Sequence, residues 1–142
     1  MEKKEWSLDA SINKAARYCS QAERAEAEVV DKLFQWGISK EHHESVITYL
    51  RNNDFLNDER YCKALVHDKV AYQSWGRLKI RAALQSKHLD TVAIEQALLT
   101  IDENLYQRNL SHLKTQRKND DPNRTARFLL QRGYTFDEIN QQ

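Results

Sequence analysis

Leu33-Phe34-Gln35-Trp36-Gly37-Ile38-Ser39 closes one helix and opens the next, and its pattern returns twice. The copies are Leu84-Gln85-Ser86-Lys87-His88-Leu89-Asp90 and Leu129-Leu130-Gln131-Arg132-Gly133-Tyr134-Thr135. In each, an apolar residue ends a helix, another bridges the turn, and a Ser, Asp or Thr stands where its side chain can cap the next helix. The copies are about 51 and then about 45 residues apart, a period in the range of stacked helical repeats. A unit of that size buries its apolar face poorly by itself, so neighbours must stack. The expected fold is therefore all-α: a single domain over 1–142 made of tandem three-helix repeats, about nine helices in an elongated, curved array. The repeats are placed at 10–56, 57–101 and 102–142.

Helical periodicity extends outward from these turns. Ile12, Ala15, Ala16 and Cys19 fall at i, i+3, i+4 and i+7, one face of a first helix. Ala22, Ala25, Val29, Leu33 and Trp36 mark a second, and Gly37 follows where a left-handed residue would end it. Ser39 is expected to cap a third, with His43, Val46, Ile47 and Leu50 inward. Asn57 caps a fourth, with Tyr61, Leu65 and Tyr72 on its inner side. Gly76 breaks the chain before Ile80, Ala83 and Leu84 of a fifth. Asp90 caps a sixth, whose inner face is Ile94, Ala97, Leu98 and Ile101, and Tyr106, Leu110 and Leu113 form a seventh. Asp121-Pro122 starts an eighth with Pro where its missing N–H costs nothing, and Thr135 with Glu138 forms a capping box for a ninth.

Composition agrees with this reading. Only 3 Gly and 1 Pro occur in 142 residues, too few for a turn-dense β fold, and neither GxGxxG nor GxxxxGK[ST] is present to cradle phosphates. Charged residues reach 30% and mean hydropathy is −0.82, so surface is large relative to core. The net charge of +1 gives no strong pointer to nucleic acid or to a membrane surface, and supports only a local basic patch. Two cysteines, Cys19 and Cys62, make no disulfide framework, and both fit inward helix positions. Without a disulfide framework a reducing cytoplasm is the expected compartment, and no apolar run of spanning length occurs, so no membrane partner is expected.

Phe55-Leu56-Asn57-Asp58-Glu59-Arg60-Tyr61-Cys62 is similar to the signature that opens the second repeat of the RecX family of recombinase regulators. Gly76-Arg77-Leu78-Lys79-Ile80-Arg81-Ala82-Ala83-Leu84 resembles that family's second recurring block. Arg24-Ala25-Glu26-Ala27-Glu28-Val29, with Leu33 and Gly37, resembles the same block in repeat one. The likeness runs from about residue 14 to about 139 with helix order kept. Arg77 stands where the family usually has Pro, and Ala25 where a small hydroxyl residue is common. The resemblance implies a protein that modulates RecA and is not an enzyme. Members lie in the groove of the RecA–DNA filament and limit its growth or promote its disassembly, in DNA repair, recombination and the SOS response. It further implies a monomer whose partner is the RecA filament, with DNA touched through its backbone if at all.

Other chemistry finds little support in the residues. No CxxC, HxxxH or HExxH spacing exists for a metal, His43 on an apolar face reads as a hydrogen-bonded boundary residue, and no cofactor is implied. The acid pairs Asp58-Glu59, Asp102-Glu103 and Asp137-Glu138 lie at helix starts, where the helix dipole accounts for them without catalysis. The basic residues are the candidates for binding RecA or DNA phosphates. Arg77 and Arg81 share a helix face with Lys79 on its flank; Lys114, Arg117 and Lys118 cluster at i, i+3 and i+4; Arg124 and Arg127 follow Pro122. Trp75 reads as a packing residue. Reversing Arg77 and Arg81 to Glu is expected to leave the fold intact. The alternative function is a helical nucleic-acid-binding module acting mainly through phosphate contacts, distinguished by a steep salt dependence.

Overall fold

A computed structural model describes residues 5–141, which form nine helices and no strand among the described residues. They are α1 (Leu8–Gln21), α2 (Glu26–Gln35), α3 (Lys40–Asn52), α4 (Asp58–Gln73), α5 (Arg77–Gln85), α6 (Thr91–Leu99), α7 (Glu103–Gln116), α8 (Pro122–Gln131) and α9 (Phe136–Asn140). The chain divides into two compact units, the first reaching to Tyr61 and the second starting at Cys62. No helix is long and apolar enough to cross a membrane among the described residues.

In the first unit, α1, α2 and α3 enclose Ala15, Cys19, Val29, Leu33, Ile38, Val46, Ile47, Leu50 and Leu56. Ile12 and Ala16 pack against this cluster from its edge. Ser11 takes a fully buried place instead, its hydroxyl donating to the Ser7 carbonyl at 2.8 Å. Burying each of the larger aliphatic side chains contributes about 1.5–3 kcal/mol. α2 ends as expected: Gly37 has φ +75°, and the Ile38 N–H donates to Leu33 O at 3.0 Å. His43 is buried, with Nε2 3.0 Å from Ile38 O and its ring against Phe34.

Three local expectations are corrected. Ala22 is the extended residue after α1, because α2 starts only at Glu26 behind a buried Ala25. Ser39 stands at the start of α3 but makes no side-chain cap. Tyr72 is 77% exposed; the buried side of α4 carries Cys62, Val66 and Val70. Asn57 does cap α4, its Oδ1 accepting the Arg60 N–H at 3.0 Å.

The second unit shows the same local grammar. Asp90, Asp102, Asp121 and Thr135 each accept a first-turn N–H from the helix they precede. Glu138 completes the capping box by accepting the Thr135 N–H at 2.9 Å. Ile80, Leu84, Ile94, Ala97, Tyr106, Leu110, Leu129 and Tyr134 are buried. His88 has φ +57°, so the residue matching Gly37 and Gly133 in the repeated turn adopts their left-handed conformation.

The repeat pattern does not reveal how α5 begins. No side chain caps it. Its first donors are taken up by residues more than 25 positions away: Gly76 N–H by Arg132 O at 2.7 Å, Arg77 N–H by Tyr106 Oη at 3.1 Å, and Leu78 N–H by Gly133 O at 3.0 Å. The end of α4 is satisfied in the same way. Val70 O accepts from Asn109 Nδ2 at 2.8 Å, Gln73 O from Arg132 at 2.9 Å, and Ser74 O from the Tyr134 hydroxyl at 2.7 Å. Orphan groups at two helix ends are thus closed by tertiary partners. The backbones approach so closely that a Cβ on Gly76 would lie 2.3 Å from Gly133 C.

Candidate functional site

The eight basic residues singled out by sequence fall into two environments. On α5, Arg77 is not a free cation. Its guanidinium pairs with Glu103, reaches Glu138 at 3.2 Å, and lies 4.1 Å from the Tyr106 ring centroid. Glu138 is only 14% exposed, so Arg77 neutralises a largely buried carboxylate. The expectation that charge reversal here would spare the fold is therefore corrected. Arg81 turns to α6, with Nε 2.8 Å from Glu95 Oε1 and a terminal nitrogen 3.1 Å from Oε2. That paired hydrogen bond holds the Glu95 carboxyl below its ordinary range and raises Arg81. Lys79 sits over Trp75 at 4.3 Å, with Lys69 over the same ring at 4.5 Å.

The remaining five surround the turn from α7 to α8. Lys114 donates to Gln141 O at 3.1 Å. Arg117 covers the Phe128 ring at 3.5 Å and approaches Asp120 at 3.3 Å. Lys118, Arg124 and Arg127 are exposed, and their side chains have no hydrogen-bond, ion-pair or ring partner among the described residues. Arg124 and Arg127 are three apart and share one face of α8. Cations with no internal partner can meet an external anion without first breaking a contact, so this end carries the readier electrostatic surface.

One cationic cluster lies outside the candidates that sequence spacing picks out. In the first unit, Lys14, Arg17, Arg24 and Lys32 line a cleft of about 360 Å³ with Tyr18, Gln21 and Trp36. Lys14 Nζ is 4.8 Å from the Trp36 ring centroid, and the Arg24 guanidinium is 3.9 Å from that of Tyr18. Tyr18 and Trp36 meet edge to face at 5.8 Å. A signal is present in Lys14, Arg17 and Tyr18 at i, i+3 and i+4, and in Lys32 and Trp36 at i and i+4. Residues 1–56 carry 8 basic and 10 acidic groups, and that acidic balance conceals it. Buried tyrosines in the second unit show no catalytic arrangement: burial raises Tyr106 and Tyr134, the latter to about 12, and both hydroxyls serve backbone groups. Among the described residues no group of His, Cys, Asp and Glu is placed to hold a metal.

Residues 12–50 match the family model for the first three-helix domain of RecX, and residues 57–98 match that for the second. The regulatory protein RecX of Clostridium botulinum strain Eklund 17B is 33% identical over 129 residues, covering 82% of this chain and 58% of the relative. That of Clostridium perfringens strain SM101 is 30% identical over 138 residues, covering 90% and 64%. The chain thus spans about three fifths of the length of these curated relatives. Among solved structures, RecX from Lactobacillus salivarius superimposes with a TM-score of 0.77 at 25% identity, covering 94% of this chain and 92% of that one. Two RecX domains in their family order, on an all-α chain of matching fold, show that this protein belongs to the RecX family of regulatory proteins.

Proposed function

We propose that the protein is a non-enzymatic cytoplasmic regulator, acting as a monomer of three helical repeats, that binds the RecA–DNA filament and restrains recombinase activity. The observation that carries this reading is the ordered pair of RecX domains over residues 12–50 and 57–98. The contact face centres on Lys114, Arg117, Lys118, Arg124 and Arg127, whose charge is the least committed to internal pairs. Arg77, Lys79 and Arg81 form a second flank. To bind there, Arg77 and Arg81 must exchange Glu103, Glu138 or Glu95 for carboxylates or phosphates of the partner, so they add less affinity than unpaired cations of the same number. The mechanism is steric and electrostatic: the bound chain occludes strand exchange or subunit addition.

Co-sedimentation with RecA, with and without single-stranded DNA, tests this directly, together with a strand-exchange assay. The protein should pellet with assembled filaments and lower the yield of exchanged strands. Absence from the filament pellet at low salt would overturn the proposal. Association that needs only naked DNA, falls steeply with salt and ignores RecA would establish the nucleic-acid-binding alternative in its place.

A further inference from the structure

We propose that the second unit carries a self-complementary face through which two copies of the free chain pair, each inserting its Leu99 into a pocket of the other. The pocket is a cavity of about 130 Å³ between α4 and the turn from α6 to α7, walled chiefly by Val66, Val70, Ile101 and Leu105. Val66 and Val70 are buried, so its inner wall is apolar, and the exposed His67 stands at its rim. An apolar cavity of about 150 Å³ takes a benzene ring, so this one has room for the isobutyl group of a leucine and little more. Leu99 is 84% exposed, the highest value of any large apolar side chain among the described residues. It directly precedes Thr100 and Ile101, which line the pocket.

Knob and pocket lie side by side, and that arrangement selects the occupant. Leu99 projects from the end of α6 into solvent, so it does not fill the pocket beside it. A twofold axis near Thr100 carries each Leu99 across to the pocket of the other copy, and the contact closes at two molecules. Charge does not oppose the approach. Glu95 on the outer side of α6 is already paired with Arg81. Asp102 at the pocket accepts the Asn104 and Leu105 N–H groups, and Asp68 lies 3.4 Å from the His67 ring. Val92, 61% exposed and two turns before Leu99 on the same side of α6, extends the apolar area, as does Tyr72 set edge-on to His67. A helix of another protein would need its own aliphatic anchor and a charge pattern to select it, and this neutralised face offers no such pattern. The chain supplies the anchor itself, at the edge of the pocket.

The face is small, so the pair is weak, with a dissociation constant on the order of 100 µM, as at the low end of interface sizes. The monomer remains the species that acts in the reading above. Pairing belongs to the free chain and its test omits RecA, so the failure of either leaves the other standing. Sedimentation equilibrium of the full chain, from about 10 µM to about 1 mM, should give a mass that rises from 16.8 kDa toward twice that value. Added salt should change the association little, because the contact is apolar. In methyl-resolved NMR spectra, the signals of Leu99, Val66, Val70 and Leu105 should shift with the same concentration dependence, a readout that needs no variant. Leu99→Gln, an exposed exchange of similar helix propensity, should weaken pairing at least about tenfold. Leu99→Met, which keeps the apolar volume, should stay within about threefold. A mass of 16.8 kDa at every concentration overturns the proposal and leaves the pocket to a different protein. Association that Leu99→Gln does not change, that leaves the pocket methyls unmoved, or that grows past two copies overturns it as well.

Discussion

Replacing Gly76 by Ala should destabilise the second unit far more than its surroundings in sequence suggest. Gly76 has φ −81° and ψ 164°, a conformation alanine adopts freely, and it stands at a helix N-cap, where exchange for Ala costs at most about 1 kcal/mol. Space is the difficulty. The new Cβ would lie 2.3 Å from Gly133 C, 2.4 Å from Gly133 O and 2.5 Å from Tyr134 N, all backbone atoms that no rotamer change can move. Relief requires the start of α5 and the turn after α8 to separate, straining the two hydrogen bonds that join them, from Gly76 and Leu78, and shifting the neighbouring Arg77 N–H away from Tyr106 Oη. Overpacking costs about 1–3 kcal/mol and each weakened hydrogen bond about 0.5–1.5 kcal/mol. Less the small entropic gain of removing a glycine, the net loss is about 3 kcal/mol. Urea unfolding followed by circular dichroism measures it, and amide exchange should show lost protection at Gly76, Arg77 and Leu78. Gly37→Ala is the control: a Cβ there meets nothing within 4 Å, so the cost is only the left-handed conformation at φ +75°, about 1 kcal/mol. Equal effects at the two positions, or a Gly76→Ala loss below about 1 kcal/mol, would refute the close-approach argument.

Asn57→Ala should cost about 1 kcal/mol in the same unfolding assay, because it removes the acceptor for the Arg60 N–H. Arg77→Glu should cost roughly 2 kcal/mol or more by placing a third carboxylate beside Glu103 and Glu138, and pairing it with Glu138→Arg should recover part of the loss. Arg124→Glu with Arg127→Glu should leave the melting temperature within about 2 °C while weakening co-sedimentation with RecA filaments, since neither side chain has an internal partner. Burial raises Tyr106 and Tyr134 above the ordinary value of 10.0, so the folded state keeps these phenols neutral while the unfolded chain ionises. Their contribution is complete below pH 10.0 and is lost as pH rises through the folded values, so an alkaline titration should show unfolding that starts above pH 10.0 together with a delayed phenolate absorbance.

Features legible in the sequence are those decided by neighbours within one turn of helix. His43, Val46, Ile47 and Leu50 lie inward as their spacing requires, Pro122 begins α8, and Thr135 with Glu138 closes the start of α9. The inner side of α4 is harder to read because this helix carries apolar residues around much of its circumference, so period alone does not choose between Tyr72 and Val70. Arg77 is illegible for a different reason. Its fate depends on Glu103 and Glu138, 26 and 61 residues later, and nothing local marks them as partners. Gly76 belongs with Arg77: a glycine before a helix reads as punctuation, whereas here its missing side chain makes room for another backbone. The cationic cleft of the first unit stays hidden in the sequence because its members come from two helices and a turn, each unremarkable alone.

The tertiary closure of α5 also sets an order of events during synthesis. The ribosome adds Gly133 about 57 residues after Gly76, which at about 5–20 residues per second is an interval of roughly 3–11 s. Throughout that time the Gly76 and Leu78 N–H groups at the start of α5 lack the acceptors they have in the finished protein, and the Gln73 and Ser74 carbonyls after α4 lack their donors. α1, α2 and α3 have no such dependence, since their core is assembled from residues already made. A nascent chain halted before Arg132 should therefore hold a finished first unit and a frayed second one, and it is the emergence of the turn after α8 that locks α5 in place.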